Sequence, residues 1–250
     1  MPKILVTNDD GVHAPGIKAL AEAMRPLGDV LVVAPHQESS AIGHALTLRR
    51  PLRLEQFGED VYAVDGTPTD CVNIAVAVLL KGQLPDLVVS GINTGWNLGD
   101  DVTYSGTVSG ALEAALLGAP AIAVSLMRTR DWVFDFGPSA RVAHDVAIQV
   151  LREGLPERVF LNVNVPKGEP KGVRLTVQGK RNHVTTIAER LDPRGQTYYW
   201  IEEGRDDWDP HDRSDFLACR NGYVSITPLQ PDMTAHTGAP AWLDRLETGG

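Results

Sequence analysis

The sequence predicts an α/β protein, a three-layer α/β/α Rossmann-like fold with a mostly parallel sheet and a β-rich C-terminal appendage. In the first part of the chain, short β-branched runs alternate with amphipathic segments of helical period, the order that builds a parallel sheet. After about Pro166, helical segments become rare while strand-like runs continue. We therefore expect a Rossmann-like α/β core at 1–166 and a β-rich C-terminal region at 167–250.

The chain opens with a strand, a helix and a strand. Lys3–Thr7 is a short apolar run, and Pro15–Leu27 carries its apolar side chains on one helical face before Gly28. Val30–Ala34 is a β-branched run that ends at Pro35. Such a βαβ unit has parallel strands and a right-handed crossover.

The same alternation continues along the core. The further predicted strands are Val61–Val64, Leu87–Ser90, Ala121–Leu126 and Val159–Val165. The further predicted helices are one that is capped by Thr67 or Thr69 and runs through Val72–Leu80, a second at Thr107–Leu117 and a third at Arg141–Leu151. In the C-terminal region we expect strands at Val173–Val177, Thr197–Ile201 and Tyr223–Ile226, and a closing helix at Ala241–Leu246.

Composition excludes several classes of protein. The net charge is −9, from 23 basic and 32 acidic residues, which disfavours a nonspecific grip on a nucleic acid polymer. Cys71 and Cys219 match no zinc spacing and no disulfide framework, so we expect two reduced thiols. No apolar run approaches the ~20 residues of a membrane span, and the N-terminal run is too short for a signal peptide. These features predict a cytoplasmic protein with no membrane partner.

Oxygen ligands and small residues are concentrated at three predicted strand exits. They follow the first strand at Asn8–Gly11, the second at Pro35–Gly43, and the Leu87–Ser90 strand at Gly91–Asp101 and Tyr104–Val108. Ligands of open α/β sheets bind beyond the carboxyl ends of the strands. We therefore expect all three loops to meet at one edge of the sheet.

The composition of these loops suits a hard cation beside an anion. Asp9 and Asp10 repel each other near an apolar core unless a cation such as Mg²⁺, Mn²⁺ or Ca²⁺ lies between them, although a plain Asp-Gly turn is an equally good interpretation of this motif alone. Ser105-Gly106-Thr107 opens a helix, and helix N-termini bind anions, although an ordinary N-cap explains the same residues. A metal beside an anion pocket is typical of phosphoryl chemistry.

Other sites are absent or weaker. The chain has no Gly-x-Gly-x-x-Gly after the first strand, no Walker lysine, no Gly-x-Ser-x-Gly elbow and no His-x-x-x-His pair. His13 is a candidate acid or base, but a neighbouring loop histidine is the more economical interpretation. An acidic run in the C-terminal region is a candidate for a second metal site, but a solvated loop is the favoured interpretation. The run consists of Asp206, Asp207, Asp209, Asp212 and Asp215.

Long ordered blocks resemble a known family. They are TNDDGVHAPG (Thr7–Gly16), GTPTDC (Gly66–Cys71), SGINTGWNLGDD (Ser90–Asp101), YSGTV (Tyr104–Val108) and GYVSITPL (Gly222–Leu229). Along nearly the whole chain the sequence resembles the SurE family of metal-dependent nucleotidases. The resemblance implies hydrolysis of nucleoside 5′-monophosphates to nucleoside and phosphate. In some members it extends to 3′-nucleotides and polyphosphate.

The resemblance also implies one divalent ion per subunit, Mg²⁺ or Mn²⁺. Its ligands, matched by motif, would be Asp9, Asp10, Ser40 and Asn93. Ser39 stands where many members have arginine, and Trp96 stands where a smaller residue or proline is expected. Family members form homodimers or homotetramers with an exchanged C-terminal segment.

These matches assign roles as expectations. Asp9, Asp10 and Asn93 would be catalytic, with Asp9 as the base or, alternatively, the nucleophile. The phosphate would lie against Asn97, Ser105, Gly106 and Thr107. Trp96 or Tyr104 would stack on the base or serve only in packing. Two alternatives stay open: a sensor that binds metal and nucleotide without turnover, and a nucleotide-sugar transferase, whose usual Asp-x-Asp is absent here.

Overall fold

A computed structural model describes residues 1–128, 133–181, 186–202, 208–209, 211–235 and 237. The strands are β1 (Lys3–Thr7), β2 (Asp29–Pro35), β3 (Leu54–Gly58), β4 (Val61–Val64), β5 (Leu87–Thr94), β6 (Ala121–Leu126), β7 (Phe160–Val165), β8 (Val173–Leu175), β9 (Thr186–Leu191), β10 (Thr197–Glu202) and β11 (Val224–Leu229). The helices are α1 (Pro15–Met24), α2 (Pro68–Ile74), α3 (Gly106–Leu117), α4 (Gly137–Glu153) and α5 (Asp215–Arg220).

Nine strands form one sheet in the order β3-β4-β2-β1-β5-β6-β7-β11-β8, and β9 pairs with β10 in a separate sheet. The six central strands, from β4 to β7, are parallel. Next to them, β3 lies antiparallel to β4, and β11 lies antiparallel to β7. The predicted α/β class is therefore confirmed.

Helices cover both faces of the sheet because alternate residues of each strand point to opposite sides. Ile4 and Val6 of β1 pack in one core cluster with residues of α1 and α4. Leu5, between them, packs in a second cluster with residues of α2 and α3. The result is the predicted three-layer arrangement, with β1 buried at its centre.

Local sequence sets where the helices begin and end. Pro15 occupies the first turn of α1, where its missing N–H costs nothing. Thr67 and Asp70 form a capping box at the start of α2. Gly118, with φ of 96°, ends α3 in the left-handed region.

Several element predictions were wrong in extent or incomplete. The helix predicted through Leu27 ends at Met24. The helix predicted through Leu80 is α-helical only to Ile74 and continues as a π-helical turn over Ala75–Leu79. The strand predicted to end at Ser90 extends to Thr94. Among the residues that the structure describes, two strands and one α-helix went unpredicted, namely β3, β9 and α5. β3 and β9 are almost entirely exposed, so they lack the apolar alternation by which a strand is recognised. The predicted helix Ala241–Leu246 lies outside the described residues.

Strands beyond Pro166 fall into two groups. β8 and β11 extend the main sheet, whereas β9 and β10 form a hairpin of their own. The division of the chain at residue 166 and the exchange of a C-terminal segment stay predictions. Across the described ranges, every helix is too short or too polar to cross a bilayer.

Candidate active site

A tight turn after β1 places the two adjacent acids at the edge of the sheet. Asn8 closes this turn, because its Oδ1 accepts the Gly11 N–H at 3.2 Å and its Nδ2 donates to the Gly11 carbonyl at 3.0 Å. Gly11 has a φ of 98°, which favours glycine. Asp9 is only 4% exposed, and Asp10 is half-buried.

The N-terminus of α3 lies directly against Asp9. The Thr107 hydroxyl donates a short hydrogen bond to Asp9 Oδ1. A Cβ at Gly106 would lie 2.7 Å from Asp9 Cβ and 2.9 Å from its Oδ2, so a side chain at this position would displace the carboxylate. Ser105 caps the helix, since its Oγ accepts the Val108 N–H at 3.1 Å. The predicted meeting of the first and third loops is therefore present.

The loop after β2 reaches the same place. The Ser39 N–H donates to the Asp9 carbonyl at 2.8 Å. Ser40 is exposed, and its Oγ donates to Glu38 Oε1 at 2.7 Å. The Glu38 charge acts on both Asp9 and Asp10. Sequence reasoning missed Glu38, although its place two residues before Ser40 in a ligand-rich loop was a usable signal.

The end of β5 supplies the third side of the site. The Thr94 backbone N–H lies close enough to the Asp10 carboxylate to lower its pKa. Asn93 Nδ2 donates to the Gly95 carbonyl at 2.8 Å. The amide of Asn93 is thus oriented by its own loop, next to Thr94 in the chain.

Asn97 is fixed by other amides and a hydroxyl. Its Nδ2 donates to Ser125 Oγ at 2.7 Å, and its backbone N–H donates to Asn164 Oδ1 at 2.8 Å. Its carbonyl accepts Asn162 Nδ2 at 2.8 Å and Asn164 Nδ2 at 3.1 Å. These contacts tie the loop after β5 to β6 and β7, and a phosphate contact of Asn97 stays a prediction.

The electrostatics of the acid pair are unfavourable. Burial raises the pKa of Asp9, and the hydrogen bonds from Thr107 oppose that rise only in part. Burial, the Asp9 charge and the Glu38 charge raise the pKa of Asp10 to about 6, although the Thr94 N–H and the Arg128 charge lower it. A bound cation, in addition to the Arg128 charge, would stabilise both carboxylates in their ionised form.

The donor atoms fit a hard divalent ion. Within the described ranges, no group of three or more His, Cys, Asp or Glu side chains is arranged to hold a metal. The predicted set needs only the two aspartates, completed by the oxygens of a serine and an asparagine. Carboxylate, hydroxyl and amide oxygens are ligands that Mg²⁺ and Mn²⁺ accept, and Mg²⁺ keeps several waters. The mutual repulsion of Asp9 and Asp10 is the feature that such an ion would remove.

Other candidates from the sequence have different surroundings. His13 is exposed and meets Phe57 edge-on, with 5.0 Å between ring centroids. Trp96 Nε1 donates to the Val165 carbonyl at 2.7 Å, a packing role, and Tyr104 is exposed. In the acidic run, Asp209 pairs with Lys180 at 3.0 Å. Asp206 and Asp207 lie outside the described residues.

Asp215, from the same acidic run, is a buried structural carboxylate. Its Oδ2 accepts the Gly99 N–H at 2.8 Å, and its Oδ1 accepts the N–H groups of Gly179 at 2.9 Å and Phe216 at 2.7 Å. It therefore holds the 3₁₀-helical segment Gly99–Thr103 against the C-terminal part of the chain. Both oxygens are occupied, so the residue fits poorly with a second metal site.

Comparisons with known proteins identify the family of the chain. The family model described as survival protein SurE matches residues 4–185. The chain belongs to the SurE family. A relative from Syntrophotalea carbinolica, named 5′-nucleotidase SurE, is 54% identical over 231 residues, which cover 92% of each chain. A relative of the same name from Aquifex aeolicus is 47% identical over 94% of each chain.

A solved structure of a SurE protein shares the fold. The crystal structure of the SurE protein from Aquifex aeolicus superposes with a TM-score of 0.84 at 46% identity, covering 94% of this chain and 96% of that one. The SurE match begins at β1 and extends through the loops that surround Asp9. The resemblance found in the sequence motifs is therefore confirmed.

Proposed function

We propose that this SurE protein is a divalent-metal-dependent phosphomonoesterase that hydrolyses nucleoside 5′-monophosphates to nucleoside and phosphate. The observation that carries the proposal is the buried Asp9 held against the N-terminus of α3, with Asp10 beside it. This arrangement puts cation ligands next to backbone N–H groups that favour an anion. The names of the relatives point to the same activity.

The metal would be held by four side chains from the three strand exits, namely Asp9, Asp10, Ser40 and Asn93. Since Asn93 uses its NH₂ group on the Gly95 carbonyl, its side-chain oxygen is the atom for a cation. When bound, the ion would polarise the phosphoryl group and lower the pKa of a coordinated water. Mg²⁺ or Mn²⁺ suits these ligands.

The protein's own groups bind the phosphate and accept a proton. The Gly106 N–H, with Ser105 and Thr107 beside it, lies at the start of α3, where the helix dipole favours phosphate oxygens. Asp9 would accept the proton of the attacking water, because its carboxylate lies against the N-terminus of α3, where the phosphate would bind. An Asp9 nucleophile is the alternative, and trapping of an acyl-phosphate would favour it.

The test is release of phosphate from AMP by the purified protein with Mn²⁺ or Mg²⁺, with EDTA as the control. Turnover that EDTA abolishes supports the enzyme. Nucleotide binding without phosphate release would instead support a metal-dependent sensor. Parallel assays with 3′-AMP and polyphosphate set the breadth of substrates, which we propose includes both. UDP-glucose, with release of UDP as the readout, tests the transferase alternative.

We further propose that the β9–β10 hairpin contacts another copy of this chain. Trp200 and Ile201 in β10 are 62% and 78% exposed, and Ile187 and Leu191 in β9 are also exposed. An isolated two-stranded hairpin is marginally stable and gains from covering such apolar side chains. Light scattering should show a homodimer or homotetramer, and Ile201→Glu should shift it towards the monomer. A wild-type monomer would refute this contact.

A further inference from the structure

The loop at 36–53 brings Ser40 to the candidate site without any helix or strand of its own. Two of its residues, Ala41 and Gly43, have φ values of 56° and 62°. Alanine is unfavourable in this left-handed region, so contacts outside the loop must hold its shape.

A buried carboxylate on α3 supplies one of those contacts. His44 Nε2 donates to Glu113 Oε2 at 2.6 Å, and Asn73 Nδ2 donates to Glu113 Oε1 at 2.6 Å. Glu113 is only 7% exposed. Burial raises its pKa, but the bonds from His44 and Asn73 outweigh that effect and hold the pKa below its usual range, while the nearby Asp70 charge opposes them. The carboxylate is therefore ionised and fully engaged at neutral pH.

The same helix also contacts Asp9, another of the proposed metal ligands. Thr107, in the first turn of α3, donates to Asp9, and Glu113 follows six positions later, about 9 Å along the helix axis. One rigid element thus contacts both the first strand exit and the loop of Ser40. Adjacent backbone bonds act in the same direction, since the Gly43 N–H donates to the Tyr104 carbonyl at 2.9 Å.

We propose that Glu113, through His44, positions the loop that carries Ser40, so that this pair sets the affinity of the site for its divalent ion and, through the ion, for substrate. The inference rests on the proposed function, because it assigns Ser40 to the metal. His44 and Glu113 are positioning residues, since neither lies among the proposed ligands. Sequence alone could not join them, because they are 69 positions apart.

The first experiment compares His44→Ala with His144→Ala by calorimetric titration of Mn²⁺. His144 is a matched control: both histidine side chains are 31% exposed and both rings meet a carboxylate, but His144 pairs with Asp145 on α4 at 3.2 Å. We expect His44→Ala to bind Mn²⁺ about tenfold more weakly, the lower end of the range for partners that orient metal ligands. His144→Ala should match the wild type.

Two further readouts separate positioning from general stability. In the metal-free protein, hydrogen exchange of the amides at 39–47 should be faster in His44→Ala and unchanged in His144→Ala. For AMP hydrolysis, His44→Ala should raise KM at limiting Mn²⁺ while kcat recovers at saturating Mn²⁺. His44→Gln, which keeps a donor for the carboxylate, should restore most of the Mn²⁺ affinity.

A double-mutant cycle with Glu113→Gln tests the link itself. If Glu113 acts through His44, the double variant should bind Mn²⁺ no more weakly than the weaker single variant. Additive losses would overturn the proposal. So would a His44→Ala protein that melts at a lower temperature but keeps wild-type Mn²⁺ affinity and loop exchange.

The outcomes also separate this inference from the proposed activity. A wild-type protein that binds Mn²⁺ but releases no phosphate refutes the activity, while the Mn²⁺ and exchange comparisons still decide the role of His44. If the wild type is active and His44→Ala binds Mn²⁺ as tightly as the wild type, the inference is refuted and the proposed activity is not. A wild type that binds neither Mn²⁺ nor Mg²⁺ refutes both.

Discussion

Two buried aspartate sites in this molecule differ in how their charge is compensated. Asp215 accepts three backbone N–H groups across both oxygens. Asp9 has a neighbouring Asp10 and the charge of Glu38 beside it, and its hydrogen bonds come from Thr107 at the start of α3. Burial raises the pKa of both Asp9 and Asp215. The comparison shows that a buried carboxylate whose oxygens accept backbone N–H groups stabilises the fold. Two adjacent carboxylates at the end of a strand are instead suited to binding a cation.

Replacing Asp9 should give the largest effect of all. Asp9→Asn should lower phosphate release from AMP with Mn²⁺ by at least about 100-fold, the scale on which loss of one transition-state-stabilising group acts. Its melting temperature should stay equal or rise, because burial disfavours the charged carboxylate. A folded Asp9→Asn protein with near-normal turnover would show that Asp9, like Asp215, has a structural role only.

Gly106→Ala should displace the Asp9 side chain by a steric clash. The new methyl group would lie 2.7 Å from Asp9 Cβ and must displace it. We expect activity to fall by about 10- to 100-fold, because misplacing a reacting group by about 1 Å is costly. Gly58→Ala is the control, as its Cβ would meet Val61 at an ordinary 3.8 Å. Equal activity of the two variants would show that Asp9 tolerates movement.

Asp215→Asn should change stability rather than chemistry. Its NH₂ group would face a backbone N–H that now donates to a carboxylate oxygen, leaving a buried donor unpaired. We expect a loss of about 1–3 kcal/mol in the free energy of unfolding, measured by urea denaturation. Unchanged stability would mean that the 3₁₀-helical segment at Gly99–Thr103 does not depend on this carboxylate.

The pH dependence of the metal-free protein should be the smallest effect. The pKa of Asp10 is raised to about 6, so between its ordinary value of about 4 and 6 the folded state binds more protons than the unfolded state. This contribution to stability is present at low pH and is lost as pH rises through 6. The melting temperature should therefore fall from pH 5 to pH 7, and Mn²⁺ should restore it at pH 7.

Asp10→Asn provides the control for that measurement, because it removes the titrating group. Its melting temperature should change less between pH 5 and pH 7 than that of the wild type. An equal change in both proteins would place the titration elsewhere.

The sequence predicted the features that depend on the local pattern of apolar and polar residues. β1 and β6 have the predicted bounds, and the loops after β1 and β5 meet at Asp9 and Asp10, because parallel strands present their carboxyl ends at one edge. The exposed strands β3 and β9 escaped prediction because they bury too little to show a period. The contacts of Asp215 with Gly99, and of His44 with Glu113, join distant positions, and no local pattern encodes such pairings.

The amides around Asn97 carry a consequence for handling the protein. Asn162, Asn164 and Ser125 hold this loop through groups that have no charge at any accessible pH. Mild acid would therefore protonate the aspartates and weaken their hold on an ion, while these uncharged contacts of Asn97 stay in place. Apoprotein prepared by brief acid dialysis should then recover its ion on neutralisation, without passing through the unfolded chain.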